Sequence, residues 1–274
     1  MAASNLSPTD RSRPIGVFDS GIGGLTVVAA LRRFLPNESI IYLGDTARVP
    51  YGGKSAATVQ RYSREITEML VREGAKAVIV ACNTASALAL SKLQEAFSVP
   101  VTGVILPGAH AAVAATRNRR IGVMGTRATI KSGAYEVALL AINPDVQVIS
   151  KPCPLLVPLI EEGWLESSIT DAVIQQYLEP LLAEGVDTLV LGCTHYPLLR
   201  RAIARVAGEG VTLVDSAQNC ALEIQRILAH ENLNAPPDSV GTLTVELTDQ
   251  PDSFLRVADE ALQLKVREVQ IRTL

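Results

Sequence analysis

Excess basic charge is missing from this 274-residue chain: 25 Lys and Arg stand against 28 Asp and Glu, a formal net charge of −3. Without a positive field to meet a phosphate backbone, nucleic acid is not expected as a main partner. No run approaches the roughly 20 apolar residues of a membrane span. The polar segment Met1 to Arg13 lacks the apolar stretch of a signal peptide, so a cytoplasmic protein that does not enter the membrane is expected. Four cysteines contain no CxxC pair, which argues against a disulfide framework and a zinc ribbon and leaves free thiols, with no metal site expected. Aromatics are only 4% although hydrophobic residues make up 48%. A core of Ala, Val, Leu and Ile suits alternating strands and helices better than an aromatic-laden β-sandwich. The length fits two domains of ordinary size better than one.

Two of the cysteines sit in nearly the same local sentence. Gly74-Ala-Lys-Ala-Val-Ile-Val-Ala-Cys82-Asn-Thr and Gly185-Val-Asp-Thr-Leu-Val-Leu-Gly-Cys193-Thr-His each place a thiol eight residues after a glycine, at the close of an apolar run. The runs are short, β-branched-rich and lack alternation, as in strands buried on both faces of a parallel sheet. Polar and helix-starting residues follow each cysteine: Asn83-Thr84 before a stretch to Phe97, and Thr194-His195-Tyr196-Pro197 before Leu198 to Val206. In open α/β sheets ligands bind beyond the carboxyl ends of the strands, beside helix N-termini that favour anions and thiolates. Two such thiols can face one ligand from opposite sides.

The rest of the chain reads as further strand–helix units. Ile15 to Asp19, Ile40 to Asp45 and Val99 to Val104 are expected strands, with helices from Leu25 to Phe34 and from about Ser55 to Glu73. A second Ile-Gly-Val at Ile121 to Val123, followed by the small-residue turn Gly125-Thr126, restarts the order. Ile15 to Ile121 is 106 positions and Cys82 to Cys193 is 111, offsets similar enough to indicate an internal repeat. The expected fold is therefore α/β, with two pseudo-symmetric doubly wound parallel-sheet domains facing each other across a cleft. Residues 11–106 plus 217–274 are assigned to the first domain and 107–216 to the second. Thr242 to Phe254 is read as a strand, turn and helix start returning to the first domain.

Two glycine motifs carry little. Ser20-Gly-Ile-Gly-Gly24 lacks the third glycine of a dinucleotide fingerprint, since Thr26 stands there, and Gly53-Lys54-Ser55 lacks the first glycine of a P-loop, since Arg48 stands there. Tight turns feeding helices explain both. Cys82 and Cys193 have polar neighbours where an inert core thiol would have apolar ones, whereas Cys153 and Cys220 have no such setting and are assigned to structure. Asp19 ends the first strand at the same edge as Cys82. It reads either as a helix cap or as a group that orients or deprotonates a partner. His195, two residues from Cys193, can poise that thiol near neutral pH.

These residues match a family. The segments Gly16 to Val27, Tyr42 to Gly52, Ala81 to Ser86, Cys153 to Glu162, Gly192 to Leu198 and Leu213 to Ser216 make the chain resemble the bacterial glutamate racemases, of the aspartate/glutamate racemase superfamily. The resemblance implies cofactor-independent interconversion of L- and D-glutamate, supplying D-glutamate for peptidoglycan. It implies Cys82 and Cys193 as the two bases, Cys82 serving the D-enantiomer and Cys193 the L-enantiomer. Asp19 and His195 would assist one thiol each, with Glu161 a further catalytic candidate. Asp19, Ser20, Pro50, Tyr51, Gly52, Asn83, Thr84, Thr126, Thr194 and His195 would surround the substrate, and a homodimer is implied. Two departures stand out: Leu106-Pro-Gly where members often carry Glu-Pro-Gly, and Glu260-Ala-Leu262 in place of Phe-Leu-Gly.

Inverting a stereocentre needs a base on one face of Cα and an acid on the other, which a thiolate and a thiol from facing domains supply without a metal or cofactor. Paired thiols specify inversion at carbon, not side-chain length, so a racemase of aspartate or another acidic amino acid is the alternative within enzymes. Outside that class stand a non-catalytic, gyrase-binding relative and a two-thiol redox protein joining Cys82 to Cys193.

Overall fold

The computed structural model describes residues 8–249, together with 264, 266 and 269–274. The described residues begin with α1 (Pro8–Arg11) and then alternate β1 (Ile15–Asp19), α2 (Leu25–Phe34), β2 (Ile40–Gly44), α3 (Ala56–Arg72), β3 (Ala77–Val80), α4 (Asn83–Ala96), β4 (Val101–Gly103) and α5 (Ile105–Ala115). A second series follows: β5 (Arg120–Gly125), α6 (Arg127–Lys131), α7 (Ala134–Ile142), β6 (Gln147–Pro152), α8 (Leu156–Glu161), α9 (Ser168–Ala183), β7 (Thr188–Gly192), α10 (Arg200–Ala207), β8 (Thr212–Asp215) and α11 (Ser216–His230). β9 (Leu243–Leu247) and β10 (Val269–Ile271) close the described chain. The helix start expected near Phe254 and the departure at Glu260 to Leu262 lie outside the described residues.

Among the described residues all strand pairings are parallel. One sheet runs β10-β9-β2-β1-β3-β4 and the other β6-β5-β7-β8. Stripped of β9 and β10, both sheets share one order: second strand, first, third, fourth. The sequence repeat is therefore a repeat of topology, and Cys82 and Cys193 follow the third strand of each copy.

Side-chain alternation explains the apolar runs. Ile15 and Val17 pack with α2 and α11 residues such as Leu25 and Ile224, while Phe18 packs on the other face with Val59 and Ile66 of α3. In the second sheet Val123 joins Tyr135 and Leu139 of α7, and Met124 joins Ile174 and Leu178 of α9. Strands covered on both faces cannot show a polar stripe. The glycines that open the two cysteine sentences also have a cause. Gly74 (φ +91°) and Gly185 (φ +71°) end α3 and α9 in a left-handed turn that L side chains rarely adopt, which lets the chain reverse into β3 and β7. Of the glycine motifs set aside, Ser55 caps α3 by accepting the Thr58 N–H.

Candidate active site

Strand ends position Asp19, Cys82 and Cys193. Cys82 caps α4, where the Ala85 N–H donates to its Sγ at 3.5 Å, and its thiol faces Ser20 Oγ at 3.6 Å. Cys193 follows β7, directly ahead of the short 3₁₀ turn Tyr196–Leu199, and its Sγ lies 3.9 Å from Nδ1 of His195. Both thiols line one cavity of about 410 Å³, a size that suits a small molecule. They reach it from different sheets.

The cavity wall also includes Ser20, Pro50, Tyr51, Gly52, Asn83, Thr84, Thr126, Glu161, Thr194 and His195. Asp19 is fully buried and lies behind this wall. Its Oδ2 accepts from the N–H groups of Gly21 and Gly24 at 3.1 Å each, and its Oδ1 accepts from the Thr194 hydroxyl at 3.3 Å. The helix-capping reading and the partner-orienting reading thus both describe Asp19, but the group it holds is Thr194 of the other half and not Cys82.

The two thiols have different surroundings. Burial first and the charge of Asp19 second push the Cys82 thiol up to about 12, against the Ala85 N–H and Ser20, which favour the thiolate. Burial opposes a charge on His195, but contact with Cys193 and Glu161 outweighs it and raises the imidazole to about 10. At neutral pH Cys82 therefore holds its proton, and His195 stands beside Cys193 as an imidazolium. Glu161 Oε1 lies 3.3 Å from His195 Nε2. The two attract as charges without the alignment of a hydrogen bond. Cys153 and Cys220 are fully buried. Burial is the main cause that holds both near 12: Lys151 only partly offsets it at Cys153, and Glu223 adds to it at Cys220.

The remaining wall is fixed by neighbours that carry no motif of their own chemistry. The Tyr51 phenol donates to Asp45, which also pairs with Arg48 Nε at 2.7 Å. Arg48 in turn reaches Glu65 at 2.5 Å and lies 3.9 Å over the Tyr62 ring. This network anchors the loop bearing Pro50, Tyr51 and Gly52. Across the cleft, Thr84, Thr126 and Thr129 form a triangle of hydroxyls with sides of 3.0 to 3.2 Å, joining α4 to α6. Gly52 packs so closely on Thr126 that a Cβ there would sit 2.8 Å from the threonine Cβ. Val49, Gly53, Arg127, Pro154, Val157, Pro158 and Tyr196 complete the wall. Sequence reasoning did not find these, nor Thr129 or Tyr135. Only the Thr-x-x-Thr spacing from Thr126, a helix-capping pattern, could have pointed to Thr129. Among the described residues no three His, Cys, Asp or Glu side chains are grouped to hold a metal ion.

The arrangement sets two thiols, one from each sheet, on a single small cavity with both apolar and polar walls. Comparison with known proteins gives the family. The Asp/Glu/Hydantoin racemase family model matches residues 25–223. The chain is 51% identical to the glutamate racemase of Geobacter metallireducens over 94% of this chain and 95% of that one. Among solved structures, a glutamate racemase isoform from Bacillus anthracis superposes with a TM-score of 0.92 at 42% identity, covering 96% and 98% of the two chains. The glutamate racemase of Francisella tularensis in complex with D-glutamate superposes with a TM-score of 0.89 at 39% identity, covering 96% and 98%.

Proposed function

The chain belongs to the Asp/Glu/Hydantoin racemase family, and from that premise we propose that it interconverts L- and D-glutamate with Cys82 and Cys193 as the two acid–base groups. The observation that carries the mechanism is that both thiols line one cavity from topologically equivalent strand ends of two sheets. Residues 11–106 with 217–274, and 107–216, are read as the two domains that meet there.

With L-glutamate bound, the Cys193 thiolate takes the Cα proton while the Cys82 thiol delivers its own to the opposite face. The D-enantiomer reverses both roles. The resting protonation described above, with a proton on Cys82 and His195 charged beside Cys193, is the form that accepts L-glutamate. Glu161 keeps His195 charged, and Asp19 keeps the proton on Cys82 while steadying Thr194.

The Cα proton of an amino acid is far less acidic than a thiol, so the developing carbanion needs stabilisation. Hydrogen bonds to the α-carboxylate from the side chains of Asn83 and Thr84, and from the backbone of Ser20, Tyr51, Gly52 and Thr194, whose hydroxyl is held by Asp19, supply it. The apolar Val49, Pro50, Pro154, Val157 and Pro158 thin the water around these contacts and so strengthen them. No step needs a metal or cofactor.

The wider setting is part of the same proposal: a cytoplasmic homodimer supplying D-glutamate to peptidoglycan synthesis. No helix among the described residues is long and apolar enough to cross a membrane. Racemisation of L-glutamate and L-aspartate, followed side by side with chelator present and no added cofactor, tests the reading. Turnover of glutamate well above that of aspartate is expected. Preference for aspartate, or loss of activity in chelator that a divalent ion restores, would overturn it.

A further inference from the structure

Asn83 opens α4 at the cavity wall, and its carboxamide has two ends that a carboxylate meets very differently: an oxygen that repels it and an N–H₂ that binds it. The oxygen is taken. Asn83 Oδ1 accepts a 2.7 Å hydrogen bond from the phenol of Tyr135, which stands on α7 in the other half of the molecule. Tyr135 is 2% exposed, and its oxygen also lies 3.3 Å from Ser216 Oγ at the start of α11. Burial raises the phenol above the ordinary tyrosine range, more than the Ser216 contact lowers it, so the proton stays on it at neutral pH. The Asn83 nitrogen has no hydrogen-bond partner among the described residues, and it is not sealed off as an unsatisfied buried atom.

We propose that Tyr135 is a positioning residue: by occupying Oδ1 it locks the Asn83 carboxamide with its N–H₂ toward the cavity, ready for the α-carboxylate. The proposal rests on the glutamate reading above. Without the phenol the amide is free to turn over, and half of its orientations then set oxygen against oxygen. Because the α-carboxylate gains negative charge as Cα is deprotonated, the loss falls mainly on turnover. Ser216 acts one step further out. Its hydroxyl donating to the phenol oxygen leaves the phenol proton for Asn83.

A double-mutant cycle separates positioning from simple packing, because only a residue acting through Asn83 loses its effect when Asn83 is gone. The full chain is compared as parent, Y135F, N83A and Y135F/N83A, with kcat and KM measured in both directions and thermal melting for each protein. Y135F is expected to lower kcat/KM about tenfold in the parent, chiefly in kcat, and no more than about twofold in the N83A background. Ser216→Ala leaves the buried ring untouched and covers the case in which Y135F folds poorly. It is expected to cost about threefold in the parent and nothing measurable in N83A. Equal losses in both backgrounds, or no loss in the parent, would overturn the proposal. If the parent does not racemise glutamate the functional reading fails instead, and the same cycle read by calorimetric binding of D-glutamate still decides the role of Tyr135.

Discussion

Asp19 and Thr194 are joined across the cleft at 3.3 Å, so the carboxylate that ends β1 of one sheet grips the residue beside the thiol of the other. Asp19 acts on its nearer thiol, Cys82, through charge alone. Asp19→Asn keeps an acceptor for Gly21 and Gly24 but removes that charge. The pH at which Cys82 becomes open to alkylation by iodoacetamide should fall, since the second cause of its raised pKa is gone. An unchanged or higher midpoint would show that burial alone sets the thiol.

His195 is expected to titrate near 10 and not near its ordinary 6.5, followed by NMR of its ring protons in the unliganded enzyme. Glu161→Gln and Cys193→Ala should each lower that midpoint. The sign for stability follows from a folded-state pKa raised above the unfolded value. Stability from this group is complete below pH 6.5, declines across 6.5 to 10, and is lost above that window. The gap in unfolding free energy between the parent and His195→Asn should therefore close as pH rises through it. Ring titration near 6.5 would remove the imidazolium from the mechanism.

Cys82→Ser and Cys193→Ser should each abolish racemisation, because an alcohol is too weak an acid and its conjugate base too scarce to replace a thiol here. Cys153→Ala and Cys220→Ala should leave kcat close to the parent's and lower only the melting temperature, since both thiols pack in cores away from the cavity wall. Near-normal turnover after either of the first two changes would show the bases to be misassigned.

Gly23 meets the other half of the site at close range. A Cβ there would lie 2.5 Å from His195 Nδ1 and 2.6 Å from Thr194 Oγ1. Gly23→Ala should displace the imidazole from Cys193 and cut kcat by about 10²-fold while the protein stays folded, checked by steady-state kinetics and circular dichroism. A fully active alanine variant would mean that His195 has room to spare.

Much of this was legible in the sequence because the relevant signals are local. The glycine-to-cysteine sentences mark a left-handed turn, a buried strand and a helix start in fixed order, and copying that order produced copied topology. The cavity residues next to each cysteine came with it. What could not be read is contact between distant segments. That Asp19 reaches Thr194, 175 positions away, depends on how the halves face each other. Tyr135 and Thr129 sit on short helices whose sequence says only that they are helical, and their partners Asn83 and Thr84 lie in the other half. The same holds for Tyr51. Its motif neighbours Asp45 and Arg48 stand close in the chain, yet their role as its anchor appears only once the loop is folded.

The central claim, two thiols each dedicated to one face of Cα, is tested most directly by racemising L-glutamate in deuterium oxide, with chelator present and no cofactor, and following deuterium at Cα early in the reaction. The account predicts that newly formed D-glutamate carries solvent deuterium delivered by Cys82, while the remaining L-glutamate stays almost unlabelled. Deuterium entering the remaining L-glutamate as fast as D-glutamate forms would show a single base serving both faces, and would contradict it.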